Sequence, residues 1–512
     1  MSSVYSLVLP GMYRDSIFLM QLSRELTLSS GARQVYAIMA TARNKELLAR
    51  SNLLTLEIEA ALPDDLAIAI DATGESLAKA LVIAREVINR PEPTAYNHSQ
   101  LSIEQAVRMR PVKSLTMLSV PGEYARYEAA RALENNADVF FYSGDVSIED
   151  ELALKKLASS KGVLLMGPEC GSAAIDGVPL GFVNRVRRGE IGIVASTGTG
   201  LQEVSCLLDR CGLGISSAYG TGGRDMTDAI GGLSTLTALQ RLADDPVTKL
   251  VLVIGTLPGE ETRKTLLQAY RQIGKPVLAR YFGVQDCRME QEAGIRCAKN
   301  LTDLASLAAS QLAPVLDISE IERPDVLPSL SGVAPRRGFV RGIFSGGALC
   351  RDAVEQVQSL LPDSSAILSN TDIPGVRRIM GTSSSTGHTF LDMGANEFTI
   401  GRPHPIVSPE IKLERIVTEL CAPDTAVVLA DIILGYGVAK NQLSLFVQAI
   451  DKAAALSSGK SRAVPIVVSV CGTENDDPSR SSQIALLQEA GIAVLGSNAR
   501  AAAHAVALAG GL

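Results

Sequence analysis

The chain reads as an α/β protein: several doubly wound parallel-sheet domains behind a small N-terminal α/β module of ferredoxin-like type. Three observations predict this. From Ser114 onward, short apolar runs alternate with helical stretches of roughly 12 to 15 residues, the order that builds parallel sheets covered on both faces. Proline-bearing stretches at 90–98 and 317–337 divide the chain. Its 512 residues, 46% hydrophobic and 20% charged, are enough for three or four domains, each with its own core. The expected domains are 1–92, 113–185, 189–316 and 338–512.

The first module reads β-α-β-α-β-α. Strands are expected at 4–9, 34–39 and 66–70, and helices at 16–28 and 75–89. Gly11 is the only turn glycine after the first strand, so no glycine-rich phosphate loop is visible there. The linker at 90–98 carries His98, read as a solvated loop residue. The second part has strands at 115–120, 139–143 and 163–166, with a helix following each of the first two. The third strand runs into Gly167-Pro168-Glu169-Cys170, at the end of a strand where open α/β sheets bind ligands. Later strands are expected at 191–195, 250–254 and 276–278. After the second linker, which carries Pro324, Pro328 and Pro335, come strands at 342–344, 427–433, 466–470 and 492–495.

The stretch 189–225 organises the rest. A buried strand (Ile191-Gly192-Ile193-Val194-Ala195) breaks into Ser196-Thr197-Gly198-Thr199-Gly200 and resumes with helical spacing at Leu201, Val204, Leu207 and Leu208. Such a turn aims free backbone N–H groups and the positive end of a helix dipole at one spot, which suits phosphate or carboxylate. It lacks the lysine of a Walker A loop and the third glycine of a dinucleotide fingerprint. An ordinary strand–turn–helix is the plain alternative. The final third echoes it: Phe344 leads into Ser345-Gly346-Gly347 and a helix with Ala353, Val354 and Val357. Two such helix tips, pointed at each other, would grip one anion from both sides.

Composition excludes several classes. A net charge of −7 argues against a nucleic-acid footprint. Arg14 and Asp15 interrupt any leader within 1–20, and no apolar run nears the roughly 20 residues that span a bilayer. The eight cysteines form no C-x-x-C pair, which speaks for reduced thiols and against zinc or disulfides. A soluble, cytoplasmic protein without a metal centre is expected.

A family resemblance then emerges. The segments 162–171 and 189–206, with Tyr219-Gly220-Thr221-Gly222-Gly223, resemble the α subunit of succinyl-CoA synthetase. Phe390-Leu391-Asp392-Met393-Gly394, then 427–437 and 468–477, resemble the carboxyl domain of its β subunit. His388-Thr389-Phe390-Leu391-Asp392 with Gly401-Arg402-Pro403-His404-Pro405, and Gly220-Thr221-Gly222-Gly223-Arg224-Asp225, are similar to the FdrA family, usually labelled acyl-CoA synthetase-like. The resemblance covers essentially the whole chain and implies Rossmann-like and flavodoxin-like domains. It places two opposed helices at Thr197–Gly200 and Gly346–Leu349. The synthetase aims such helices at a phosphohistidine, but here Glu292-Ala293-Gly294 stands where the resemblance puts His-Ala-Gly. Gly255-Thr256 likewise replaces a Gly-Glu pair. No phosphoenzyme is therefore expected, no ATP-grasp region is present, and CoA binding is left open.

What the resemblance implies is a group-transfer subunit, carbamoyl or acyl to phosphate, of the oxamate carbamoyltransferase kind and assembled as a homo- or hetero-oligomer. Phosphate or carbamoyl phosphate and a small carboxylate would be its substrates. The alternatives are an acyl-CoA synthetase subunit that borrows an ATP-grasp partner, and a non-catalytic metabolite-binding scaffold. Expected phosphate ligands are Ser196, Thr197, Gly198, Thr199, Gly200, Ser345, Gly346 and Gly347. Expected substrate ligands are Gly167, Pro168, Glu169, Cys170, Gly222, Gly223 and Arg224. Arg224 would clamp a carboxylate or pair on the surface with Asp225. His388 and His404, flanking Asp392 in a polar, Gly- and Pro-rich loop, are the acid–base candidates, with a packed, hydrogen-bonded His388 as the plain alternative. Asp476-Asp477 reads as a solvated acidic turn sooner than a Mg²⁺ site, and His504 as a plain helix residue.

Overall fold

The computed structural model describes residues 3–14, 16–88, 101–109, 114–284, 286–316, 318–327, 338–361, 364–380, 384–400, 402–456 and 464–510. The linker at 90–98 with His98, the prolines at 328 and 335, and Gly401 fall outside these. Two compact units form, one of residues 1–106 with 119–121 and 399–403, the other of the remainder.

In the first unit, β1 (Ser3–Leu9), α1 (Ser16–Ser30), β2 (Gln34–Met39), α2 (Ala42–Arg50), α3 (Leu56–Ala60), β3 (Leu66–Ala72) and α4 (Gly74–Ile88) follow in order. The sheet is antiparallel, in the order β1-β3-β2. All seven residues of β3 are buried, because the central strand is covered on both faces. Leu22, Leu26, Ile68, Ile70, Ala80 and Ala84 fill one side, and Leu48, Leu53, Ile58, Ala67 and Ala69 the other. Thr41 and Thr55 cap α2 and α3 by accepting from Asn44 and Ile58 N–H, as hydroxyl residues do at helix starts. A short α5 (Ile103–Arg108) follows in the chain.

The second unit opens with a parallel three-stranded sheet, β4 (Leu115–Leu118), β5 (Asp138–Phe141) and β6 (Leu165–Met166), linked by α6 (Gly122–Glu134) and α7 (Ile148–Lys161). Ser147 caps α7 and Gly162 ends it in the left-handed conformation, the usual way to close a helix. Next come β7 (Ser172–Ile175), β8 (Val178–Gly181), β9 (Arg188–Ala195), α8 (Gly198–Arg210), β10 (Ile215–Gly220), α9 (Leu233–Asp244), β11 (Leu250–Thr256), α10 (Glu260–Gln272), β12 (Val277–Phe282), α11 (Arg288–Glu292), β13 (Arg296–Cys297) and α12 (Leu301–Leu312). Their seven strands are ordered β13-β12-β11-β9-β10-β7-β8. The antiparallel edge β7–β8 comes from residues the sequence reading assigned to the preceding domain.

The last part comprises α13 (Ser319–Glu322), β14 (Pro324–Val326), β15 (Phe339–Phe344), α14 (Gly347–Leu360), β16 (Ile367–Ser369), β17 (Arg377–Arg378), β18 (His388–Asp392), α15 (Asn396–Thr399), α16 (Glu410–Cys421), β19 (Thr425–Ile433), α17 (Gln442–Leu456), β20 (Ile466–Cys471), α18 (Arg480–Glu489), β21 (Ala493–Leu495) and α19 (Asn498–Leu508). Its eight-stranded sheet runs β14-β21-β20-β19-β15-β18-β16-β17 and is parallel except at β14, a strand formed inside the expected second linker.

Helices α8, α12, α14 and α19 pack on one another. Their apolar faces share one core with both large sheets, among them Leu201, Val204, Leu208, Ala305, Val354, Val357, Ala501 and Ala505. Register then sets the chemistry. Ala195 lies level with Gly220 and Ile254 across the first large sheet, and Phe344 with Asp392 across the second. The carboxyl ends of both central strands therefore feed helices of the shared layer. Among the described residues no helix is long and apolar enough to cross a membrane.

Candidate anion site

Of the four helices α8, α12, α14 and α19, the first and third begin with no side chain among the described residues accepting their first-turn N–H groups, whereas Asn300 caps α12 and Glu203 accepts from Asn498 of α19. Thr197 stands at the N-cap of α8 and Gly346 at that of α14, both extended, and neither makes a side-chain cap bond. The first-turn N–H groups of Gly198, Thr199 and Gly200, and of Gly347, Ala348 and Leu349, have no acceptor among the described residues. Helix starts normally satisfy such groups with a Ser, Thr, Asp or Asn side chain or a ligand. The two tips meet. A Cβ placed on Gly346 would lie 2.6 Å from Thr199 Oγ1 and 2.7 Å from its Cβ, and one on Gly200 would lie 3.4 Å from Ala348 Cβ. Glycine is required at 346 because any side chain would displace the opposite helix start. Ser196, at the carboxyl end of β9, packs on Gly255 at the end of β11.

Below the second tip lies a buried ionic cluster that sequence reasoning missed. Asp431, on β19, accepts Ser345 N–H through both carboxylate oxygens at 2.8 and 3.0 Å. Lys412 of α16 donates to Asp431 Oδ1 at 2.5 Å and to Ser345 Oγ at 2.9 Å. All three side chains are buried. The signal was present: an aspartate inside the apolar run of 427–433 must have a partner, since an isolated buried charge is too costly.

Asp392, at the end of β18, lies against the first turn of α14: a Cβ on Gly347 would sit 2.7 Å from its Oδ2. It accepts Gly394 N–H at 2.9 Å, and its own backbone is held by Asn370. Burial, reinforced by the neighbouring Asp431 charge, pushes its carboxyl up to about 6. His404 Nε2 faces Gly394, while its Nδ1 accepts Ile406 N–H at 3.2 Å. An accepting Nδ1 puts the ring proton on Nε2. Burial lowers His404 to about 4 against an opposing pull from Asp431, so near neutral pH it is a neutral donor and not an imidazolium acid.

The other expected residues fall elsewhere. His388 begins the strand that Asp392 ends, roughly 13 Å away at about 3.3 Å per residue. Its Nδ1 accepts Val340 N–H at 3.1 Å, its ring meets Phe339 edge-on, and burial lowers its pKa. His388 thus takes the packed, hydrogen-bonded place that is the plain alternative to an acid–base role, and lies on a strand and not in a loop. Gly167-Pro168-Glu169-Cys170 packs against the loop at Gly222, whose Cβ would lie 2.6 Å from Pro168 O. Cys170 is buried, hydrogen-bonds Ser172 O at 3.6 Å, and burial pushes its thiol up to about 12. That is the state of an inert thiol.

Arg224 does not pair with Asp225: it meets Glu151 of α7 at 2.7 Å, and Glu151 also meets Lys155 at 2.9 Å. Lys155 in turn binds Asp225 at 2.8 Å, and Asp225 caps α9 by accepting Ser234 and Thr235 N–H. This buried relay fixes the glycine loop, with Gly223 alone open on its Cβ side. Glu292 is exposed on α11, next to the edge strand β13, and does not reach the cradle. Asp476 is buried and accepts Asn184 Nδ2, Arg185 N and Thr473 N, each at 2.8 Å. Asp477 pairs with Lys440 at 2.6 Å. A cleft of about 490 Å³ lies away from the cradle, lined by Arg187, Arg210 and Arg480 among others.

The chain is similar to several known proteins. The CoA-ligase family matches residues 343–508, and a family described as AllF, heavy metal-associated domain, matches residues 1–103. Residues 1–103 contain no cysteine and a single histidine, His98, so a thiolate metal site does not fit this module and its match concerns the fold. The chain is 28% identical over 181 residues to succinate–CoA ligase [ADP-forming] subunit alpha of Methanothermobacter thermautotrophicus, covering 35% of this chain and 60% of that one. The same subunit of Aquifex aeolicus is 29% identical over 178 residues, covering 33% and 56%. A solved dinucleotide-forming acetyl-coenzyme A synthetase 1 from Ca. Korarchaeum cryptofilum aligns over 81% of this chain and 87% of its own, with TM-score 0.35 and 15% identity. YahF of Escherichia coli K12, an uncharacterized protein, is 35% identical over 502 residues, 97% of this chain and 96% of its own. With such identity along both lengths, this chain belongs to the FdrA family, as YahF does.

Proposed function

We propose that the chain is an acyl-CoA synthetase-like group-transfer subunit that binds a phosphate group between the N-termini of α8 and α14. The observation that carries this is the pair of uncapped helix starts meeting at Thr199 and Gly346. Six unsatisfied N–H groups, Gly198–Gly200 and Gly347–Leu349, offer what a phosphate leaving group requires without a covalent nucleophile. In the transfer, an acceptor nitrogen or oxygen attacks the carbonyl carbon of a carbamoyl or acyl phosphate. The carbon–acceptor bond forms, the carbon–oxygen bond to phosphate breaks, and phosphate leaves with the bonding pair into the cradle. His404 donates from Nε2 to the developing negative charge, and Asp392 takes the proton released by the acceptor. Ser345, Lys412 and Asp431 position the second tip.

The domain division at 1–92, 113–185, 189–316 and 338–512 belongs to the same proposal; four sheets favour four domains, although the strands at 172–181 join the sheet of 189–316 and the strand at 324–326 joins that of 338–512. A partner subunit belongs to it as well, as the matched ligases are themselves subunits. The test is turnover of carbamoyl phosphate with oxamate by the purified chain, alone and with its co-purified partner. Turnover that is lost in Gly346→Ala supports the reading, and its absence in both preparations refutes it. A second reading, an acyl-CoA synthetase subunit served by a separate ATP-grasp partner, is favoured by the CoA-ligase match at 343–508. Stable labelling of the chain by γ-labelled ATP with CoA would select it.

A further inference from the structure

Among the described residues, one group of metal-type donors comes together, and it lies outside the cradle. Cys287, Glu290 and Cys297 place one donor atom each within 4.8 Å of one another. Cys287 stands at the N-cap of α11 without making a cap bond, and Glu290 lies one turn later on the same face. Cys297 comes from β13, the edge strand beside β12. The two thiols are half-buried, while Glu290 is fully buried and aimed at them. Arg263 of α10 grips that carboxylate from behind, Nε to Oε1 at 2.6 Å and Nη2 to Oε2 at 2.5 Å, and also donates to Asp286 O at 2.9 Å.

We infer that Cys287, Glu290 and Cys297 form a binding site for a zinc-class divalent cation. Zinc holds sulfur at about 2.3 Å and carboxylate oxygen at about 2.0–2.2 Å, so donors around one ion stand roughly 3.5–3.8 Å apart. The present separation reaches this with small side-chain rotations. Two sulfurs and one oxygen select a soft or borderline cation over Mg²⁺ or Ca²⁺. Charge also balances. Arg263 already neutralises Glu290, and a divalent cation neutralises the two thiolates it creates, so the buried charge is unchanged on binding. The two thiol protons leave to solvent, and the fourth position is free for water. Arg263 acts as the supporting partner that orients the carboxylate, a role whose loss typically weakens binding about 10–100-fold. The bound ion would tie the loop after β12 to the last strand of the sheet.

The experiment uses the full chain, reduced, stripped with a chelator and titrated with Co²⁺ as the probe, followed by competition with Zn²⁺. One equivalent should produce a thiolate-to-cobalt charge-transfer band with tetrahedral d–d absorption, bleached by Zn²⁺. Cys287→Ser and Cys297→Ser should each abolish the band and weaken Zn²⁺ by more than the 10–100-fold expected of a supporting residue. Arg263→Gln should fall within that range. Cys421→Ser, which removes an exposed thiol elsewhere, should change nothing. Absence of the band in the reduced wild type overturns the inference, as does its persistence in the Cys287→Ser/Cys297→Ser double variant. Far-UV circular dichroism of each variant separates lost binding from lost fold.

Discussion

Replacing Thr197 by aspartate puts the carboxylate that α8 lacks at its own N-cap. Thr197 is half-buried and makes no cap bond, so the new side chain reaches the N–H groups of Thr199 and Gly200 without displacing a partner. Capping and the favourable dipole should stabilise the helix by about 1 kcal/mol. The same carboxylate occupies the place proposed for the guest. Two unit charges about 4 Å apart repel by about 4 kcal/mol at an effective dielectric of 20. Halving this for the partial exposure of Thr197 leaves about 2 kcal/mol, or roughly 30-fold in affinity. The two effects have opposite signs, which makes the substitution diagnostic. The assay pairs thermal unfolding without ligand against calorimetric titration with sulfate, whose charge is constant across the working pH range. The expected result is a higher midpoint with sulfate binding weakened at least 30-fold. A raised midpoint with unchanged sulfate affinity would show that α8 is capped and that its tip binds nothing, and the proposed cradle would be refuted.

Further outcomes follow from the same geometry. Because Asp392 titrates near 6, sulfate should bind more tightly as pH falls through that value, and Asp392→Asn should flatten the profile. Its raised pKa also means that its favourable share of folding stability is present in acid and lost as pH rises through about 6. Asp392→Asn should therefore gain stability relative to wild type at pH 8 but not at pH 3, below the ordinary carboxyl range, measured by urea unfolding. Lys412→Met leaves Asp431 buried and unpaired, and should cost about 3–5 kcal/mol in urea unfolding, partly restored in Lys412→Met/Asp431→Leu. His404→Ala should lower transfer activity while His388→Asn lowers stability alone, read by kcat at saturating substrate and by thermal midpoint. Cys170 should resist iodoacetamide in the native chain, since its thiol titrates at about 12, and Cys170→Ala should keep its activity.

Much of the fold was legible because its signals are local. Buried parallel strands announce themselves as apolar runs, and 191–195 and 250–254 fall inside β9 and β11. The glycine-hydroxyl turns were visible for the same reason. What escaped was non-local. Ser172–Gly181 follows the third strand closely in sequence yet pairs with β10, and nothing in its composition names that partner. The short β14 hides in a proline-rich stretch because an edge strand tolerates proline and needs few residues. Arg224 and Asp225 are neighbours in sequence, so a mutual pair was a natural expectation. The partners they actually take, Glu151 and Lys155, lie on α7, some 70 residues earlier in the chain. His388 and Asp392 are close in sequence, but strand geometry carries them apart where a loop would have let them meet.

The cradle is where local rules are broken, and the breaks converge. An N-cap threonine that does not cap, a glycine at the equivalent place on the opposite helix and a carboxyl lifted to about 6 each oppose stability. Elsewhere Thr41, Thr55, Ser147, Asn300 and Ser479 cap their own helices, and where Gly232, Gly259 and Ser497 make no cap bond, Asp225, Asp228 and Glu203 accept first-turn N–H groups of those helices instead. Exceptions of this kind gather at functional sites, where stability gives way to a ligand's needs. If the exceptions were merely tolerated defects, restoring the cap would stabilise the chain and change nothing else. The aspartate at 197 and the alanine at 346 distinguish these cases from opposite sides. One fills the site while leaving the tips in place, and the other pushes the tips apart while leaving every N–H group free. Loss of sulfate binding in both requires two opposed helix starts acting as one site.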